Sequence, residues 1–261
     1  MKTPREVEAP LSADDVRAIL RICSPAGLLV GGQALAFWAD HFDVTRPSGL
    51  ASCITSDADF IGDSMLAIKL GKELGWTTWV PALDDATPQT GKVTRRLRDG
   101  SVKQVDFLSG VAGLTTKDLS RRAVEIAIDG IGSLRVMHPI DVLDSRIQNL
   151  HLLAEKRNAA GIAQAQLAVA AARAFVRNEV SIRGERVSLR LLERIVDIAC
   201  DIAALRVFLL YRIDPLEAVP LDAFRTTSSL HRKRWPQVLA EVGSKRTTLR
   251  RAASQTTRPA R

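Results

Sequence analysis

Ser52-Cys53-Ile54-Thr55-Ser56-Asp57-Ala58-Asp59-Phe60-Ile61 is the stretch on which the reading of this 261-residue chain turns. It reads as a strand, and side chains along a strand alternate between faces. Cys53, Thr55, Asp57 and Asp59 share one face; Ile54, Ser56, Ala58 and Phe60 share the other. The second face is apolar or small, suited to packing beneath helices. The first ends in two carboxylates about 7 Å apart along the backbone, at a rise of roughly 3.3 Å per residue. Two like charges side by side need an offset, and hard divalent cations, which prefer carboxylate and phosphate oxygens, supply one. The pair therefore points to a Mg²⁺ site shared with a phosphate-bearing substrate.

Two further signals lie on either side. Downstream, Lys92–Arg98 and Ser101–Leu108 flank Asp99-Gly100, which predicts a hairpin with a two-residue turn. Asp106 lies in its second strand, with Val105 and Phe107 on the opposite face. If that strand pairs beside 52–61, Asp57, Asp59 and Asp106 converge. Two metals roughly 3.5–4 Å apart would then hold a triphosphate for in-line attack. Upstream, the short apolar run Leu28-Leu29-Val30 meets Gly31-Gly32, and a helix is expected from Gln33 to Phe42. Two glycines before a helix N-terminus let the backbone approach an anion closely.

Gly31-Gly32-Gln33-Ala34, then Thr55-Ser56-Asp57-Ala58-Asp59-Phe60, then a lone strand Asp106, resemble the DNA polymerase beta-type nucleotidyltransferase superfamily. Within it, the sequence is similar to the nucleotidyltransferase toxins of abortive-infection and toxin–antitoxin systems, over roughly residues 28–157. The resemblance implies Mg²⁺-dependent transfer of a nucleotide from a nucleoside triphosphate to an acceptor. Asp57, Asp59 and Asp106 would be the catalytic metal ligands, and Gly31, Gly32, Gln33, Thr55 and Ser56 would bind the nucleotide. It also implies RNA, specifically tRNA, as acceptor and a cognate antitoxin as partner. The family carries Pro, Asp and Ser-Lys on the first helix of its helical domain. This chain has His138-Pro139-Ile140-Asp141-Val142-Leu143-Asp144-Ser145-Arg146, so Arg146 stands where the family has lysine and is the expected phosphate contact. The family's following Lys-Asp-x-x-Asp pattern is missing, since 157–164 contains no acid. That absence keeps a second reading open: a protein of the same fold that binds nucleotide, nucleic acid or a protein partner without turnover.

The rest of the chain frames these residues. The predicted class is α+β: a mixed sheet flanked by helices over 1–138, a helical domain over 139–249, and a basic, disordered tail over 250–261. Ser12 and Asp15 open a first helix. Gly62–Gly75 predicts a helix, Trp76–Val80 a strand, and Val124–Ile128 with Ser133–Met137 a second hairpin. Helices are expected over Ile140–Arg157, Ala159–Val180, Val187–Tyr211 and Ser229–Val242.

Composition narrows the setting. No apolar run approaches the roughly 18 residues of a membrane span. The first ten residues lack a signal's apolar stretch, and Cys23, Cys53 and Cys200 are too scattered for a disulfide framework or zinc site. A cytoplasmic protein is expected. The net charge of +8 is concentrated in Arg225–Arg261, where ten Lys and Arg face one acid, Glu241. Such a segment attracts polyanions, chiefly nucleic acid, or serves as a solvated tail. Arg95, Arg96, Arg98 and Lys103 are expected to blunt a sheet edge, Lys69 and Lys72 to lie on a solvated face, His138 to be structural, the cysteines to be buried small hydrophobes, and Trp38, Trp76, Trp79 and Trp235 to be core.

Overall fold

The computed structural model describes residues 7–24, 26–46, 57–82, 84–225 and 228–256. The described residues form two compact units, Met1–Trp38 with Ser48–Val142 and Ala39–Pro47 with Leu143–Arg261. The later boundary falls four residues after the predicted one, and a short early segment joins the second unit.

In the first unit, α1 (Ala13–Cys23) is opened by Ser12 and Asp15 as a capping box: the Asp15 amide donates to Ser12 Oγ at 3.2 Å, and the Ser12 amide donates to Asp15 Oδ2 at 2.9 Å. β1 (Leu28–Val30) runs straight into α2 (Gly31–His41), two residues earlier than the sequence predicts. β2 (Asp57–Ile61) follows; of the predicted strand, 52–56 lies outside the described residues. α3 (Ser64–Leu74) is capped by Asp63 and stopped by left-handed Gly75. Then come β3 (Thr77–Trp79), β4 (Gln89–Arg96), β5 (Val102–Leu108), α4 (Thr116–Arg122), β6 (Val124–Ile128) and β7 (Gly132–Val136).

These strands form one mixed sheet in the order β3-β4-β5-β2-β1-β7-β6. β2 lies parallel to β5 and antiparallel to β1, and β1 lies parallel to β7. One face of the central strands carries Ala58, Phe60, Val93, Val105 and Phe107, all buried. Phe60 and Phe107 stack with ring centroids 6.0 Å apart. α3 covers this face through Leu66, Ala67 and Leu70, and comes so close to β4 that a Cβ on Gly91 would sit 2.5 Å from that of Ala67. Burying a side chain the size of Phe107 contributes about 2 kcal/mol. The predicted alternation of β2 thus sets which way its aspartates face.

The hairpin turn differs from the prediction. Gly100 N donates to Leu97 O and Leu97 N to Ser101 O, so the loop has three residues, Arg98-Asp99-Gly100. Only Gly100 takes positive φ, +85°, which is the three-residue connection with a left-handed glycine rather than the two-residue turn that needs two positive φ values. Asp99 closes the loop by accepting from Ser101 N at 2.9 Å.

The second unit is helical: the remainder of α5 (Pro139–Leu152), α6 (Ala159–Arg183), α7 (Glu185–Cys200), α8 (Ile202–Tyr211) and α9 (Trp235–Thr256). The predicted helix 187–211 is two, because Asp201 turns its carboxylate onto the Ala203 amide at 2.8 Å and caps α8. α9 continues to Thr256, so residues 250–256 of the predicted tail are helical. Val196, Ala199, Leu205, Leu216, Val238 and Val242 form a buried core that joins α7, α8 and α9. α6 is long and apolar enough on average to cross a membrane, although, as expected, it holds no uninterrupted apolar run of that length. Its residues Leu167, Ala168, Ala172 and Val176 are nonetheless buried inside the protein.

Candidate metal centre

On the sheet face opposite α3, the strand registers form a row. Val30 pairs with Asp59, Asp59 with Asp106, Asp106 with Lys92, and Lys92 with Trp79. Directly paired residues point to the same face. Asp57, two residues before Asp59, shares it. The parallel pairing of β2 with β5 therefore brings Asp57, Asp59 and Asp106 together as predicted, with one carboxylate oxygen from each within 4.8 Å of the others.

The glycine turn lies against this cluster. Gly31 has φ +67°, and a Cβ there would be 2.0 Å from Asp59 Oδ2. Any other residue would be strained by its backbone and would collide with the carboxylate. α2 thus begins beside Asp59. Gly32 is buried and Gln33 half-buried in its first turn. Thr55 and Ser56 lie outside the described residues.

Asp106 is the innermost member, only 6% exposed. Gln89 Nε2 donates to its Oδ1 at 2.9 Å, and Gln104 Nε2 donates to its Oδ2. Burial pushes its carboxyl above the ordinary carboxylate range, and the charge of Asp57 adds to this; the Gln104 hydrogen bond and the Lys92 ammonium act the other way. At an effective dielectric constant near 20, each ionised pair at such separations repels by on the order of 3 kcal/mol. Amides orient such a carboxylate without neutralising it. A positive charge, such as the nearby Lys92 ammonium or a bound cation, or a proton on Asp106 offsets the repulsion.

Carboxylates on neighbouring strands are a hard-oxygen donor set that suits Mg²⁺, which is typically held by a few carboxylates plus substrate phosphates and water. No protein family model matches this sequence, and no curated protein does. The chemistry of the site therefore has to be read from its own residues.

Three residues around Asp106 went unrecognised in the sequence. Gln89 and Gln104 fix the Asp106 carboxylate. Lys92 is its cross-strand partner and makes no hydrogen bond or ion pair among the described residues. The two-residue turn read from Asp99-Gly100 would have set Val93 opposite Asp106; only the three-residue loop puts Lys92 there. Trp79, expected in the core, is 43% exposed, whereas Trp38 and Trp76 are buried.

The remaining candidates make contacts within the protein. Arg146 lies in the second unit, buried, and donates from Nη1 to Gln164 Oε1 at 3.1 Å. His138 Nδ1 accepts from the Ile140 amide at 3.1 Å and so caps α5. Lys103 pairs with Asp15, tying β5 to α1, while Lys69 pairs weakly with Glu73 on the exposed side of α3. Cys23 is fully buried, and burial pushes its thiol up to about 12. The basic segment is partly neutralised: Arg225, Arg234, Lys245 and Arg246 pair with Glu185, Glu193, Glu241 and Asp214. Arg232, Lys233, Arg250 and Arg251 are exposed and make no ion pair among the described residues.

Proposed function

We propose that this chain is a Mg²⁺-dependent nucleotidyltransferase of the DNA polymerase beta-type fold, which moves a nucleotide from a nucleoside triphosphate to an RNA acceptor. The observation that carries this reading is the convergence of Asp57, Asp59 and Asp106 from two parallel strands, with their oxygens inside 4.8 Å. The glycine turn pressed against Asp59 supports it, because only glycine at 31 lets the start of α2 sit directly against the carboxylate. When bound, Mg²⁺ supplies charge neutralisation and activation of the attacking hydroxyl. Asp57, Asp59 and Asp106 would hold it, with Gln89 and Gln104 keeping Asp106 oriented. The start of α2 at Gly31 would direct backbone N–H groups toward phosphate. The cationic Arg232, Lys233, Arg250 and Arg251 would attract the acceptor's backbone in a salt-dependent way.

The second reading, binding without turnover, is favoured by the residues after Arg157. Arg157 donates to the carbonyls of Leu150 and His151, and Asn158 caps α6 through the Gly161 amide. These positions build a helix start where the resembling toxins carry acids. Incubation with Mg²⁺, labelled nucleoside triphosphates and total RNA separates the two. The first reading expects label on RNA that disappears in Asp57→Ala. Binding of nucleotide with no transfer supports the second, and transfer that survives Asp57→Ala removes the assigned site.

A further inference from the structure

We propose that Trp79 and Lys92 form the subsite for the nucleoside triphosphate itself, with the base stacked on Trp79 and a phosphate on Lys92. The proposal rests on the reading of the aspartates as its metal centre. Register carries the argument: β3, β4, β5 and β2 place Trp79, Lys92, Asp106 and Asp59 side by side on one face. Adjacent strands are about 4.8 Å apart, so Trp79 stands about 10 Å from Asp106 with Lys92 midway. Thr78 fixes the direction of its neighbour. A Cβ on Gly71 of α3 would be 1.8 Å from Thr78 Oγ1, so Thr78 faces the helix and Trp79 the open side.

The chemistry along this row runs from anionic to cationic to aromatic. That is the order in which a bound nucleotide presents metal-linked phosphate, further phosphate and base. Trp79 is 43% exposed on a three-residue edge strand, and its ring has no aromatic or cationic partner among the described residues. A large indole left open beside a phosphate-binding site suits base stacking, which every nucleobase can enter through its π-face. Lys92 is half-buried and linked to Asp106 by charge alone, so its ammonium is available to a phosphate that approaches the carboxylates.

Calorimetric titration of the full chain in Mg²⁺ with ATP, CTP, inorganic tripolyphosphate and a single-stranded oligonucleotide tests this. Trp79→Ala is expected to weaken both nucleoside triphosphates about tenfold, within the range for loss of a stacking aromatic, and to leave tripolyphosphate unchanged. Trp79→Phe should retain most of the affinity, and Lys92→Gln should weaken nucleotides and tripolyphosphate alike. Unchanged nucleotide affinity in Trp79→Ala overturns the proposal, as does an equal loss for tripolyphosphate or a loss confined to the oligonucleotide. Wild-type protein that binds neither nucleotide nor tripolyphosphate overturns the metal-centre reading together with this one.

Discussion

Asp106 in the first unit and Asp214 in the second are both tucked into the protein, yet their surroundings are opposite. Asp214 receives Arg246 through two hydrogen bonds of 2.8 and 2.6 Å, and the guanidinium lies 3.6 Å above the Phe208 ring. Its charge is matched within the chain. Asp106 has two amide donors and two carboxylate neighbours, with a single lysine close by. Burial holds its carboxyl above the ordinary range. Where a fold needs a carboxylate for its own cohesion it supplies a fork of donors; around Asp106 it supplies mainly amides and like charge.

The contrast can be broken most forcefully at Arg246. Arg246→Met leaves Asp214 without its cation and should cost about 3 kcal/mol, read as a fall in the urea midpoint with unchanged slope. Gly31→Ala should cost about 2 kcal/mol from backbone strain and displace Asp59; the Mg²⁺-dependent rise in melting temperature should vanish with it. Asp106→Asn should have the opposite sign to Arg246→Met. In a cation-free buffer at pH 7.5 it should gain about 1 kcal/mol, as expected when a site's self-repulsion is relieved. A drop in melting temperature there would mean that the carboxylate is matched after all.

The smallest effect concerns pH. The fold raises the carboxyl of Asp106 above its ordinary value, so folding favours its protonated form. That contribution is complete below the ordinary carboxyl range and is lost as pH rises through the raised value. Mg²⁺ competes with the same proton. Melting curves with and without Mg²⁺ should therefore diverge as pH rises, and converge once Asp106 is protonated. A gap that widens on acidification would place the cation elsewhere.

Much of the site was legible because period-two alternation is local. Ala58 and Phe60 had to turn inward, so Asp57 and Asp59 could not. The Asp-Gly dipeptide marked the hairpin, but not its loop length, which depends on the φ of one residue, Asp99, that sequence leaves open. Trp79 was misread for a different reason. Tryptophan is apolar enough to imply burial, and only the three-dimensional fact that β3 is an edge strand with Thr78 under α3 leaves it exposed. The excess charge after Arg225 was counted correctly, but its pairing with Glu185, Glu193 and Asp214 joins elements distant in sequence. The break at Asp201 was hidden because apolar periodicity runs through it, while the cap depends on one carboxylate reaching one amide.

The parallel pairing of β2 with β5 has a kinetic corollary. Asp59 and Asp106 meet only when two segments separated by α3, β3 and β4 have closed on each other, one of the more distant contacts the chain must make. Such contacts form after local hairpins and helices have committed the chain. If this pairing closes after the rate-limiting barrier, a divalent ion that needs all three aspartates has nothing to grip before it. Mg²⁺ should therefore leave the refolding limb of a chevron plot where it is and lengthen the native lifetime on the unfolding limb.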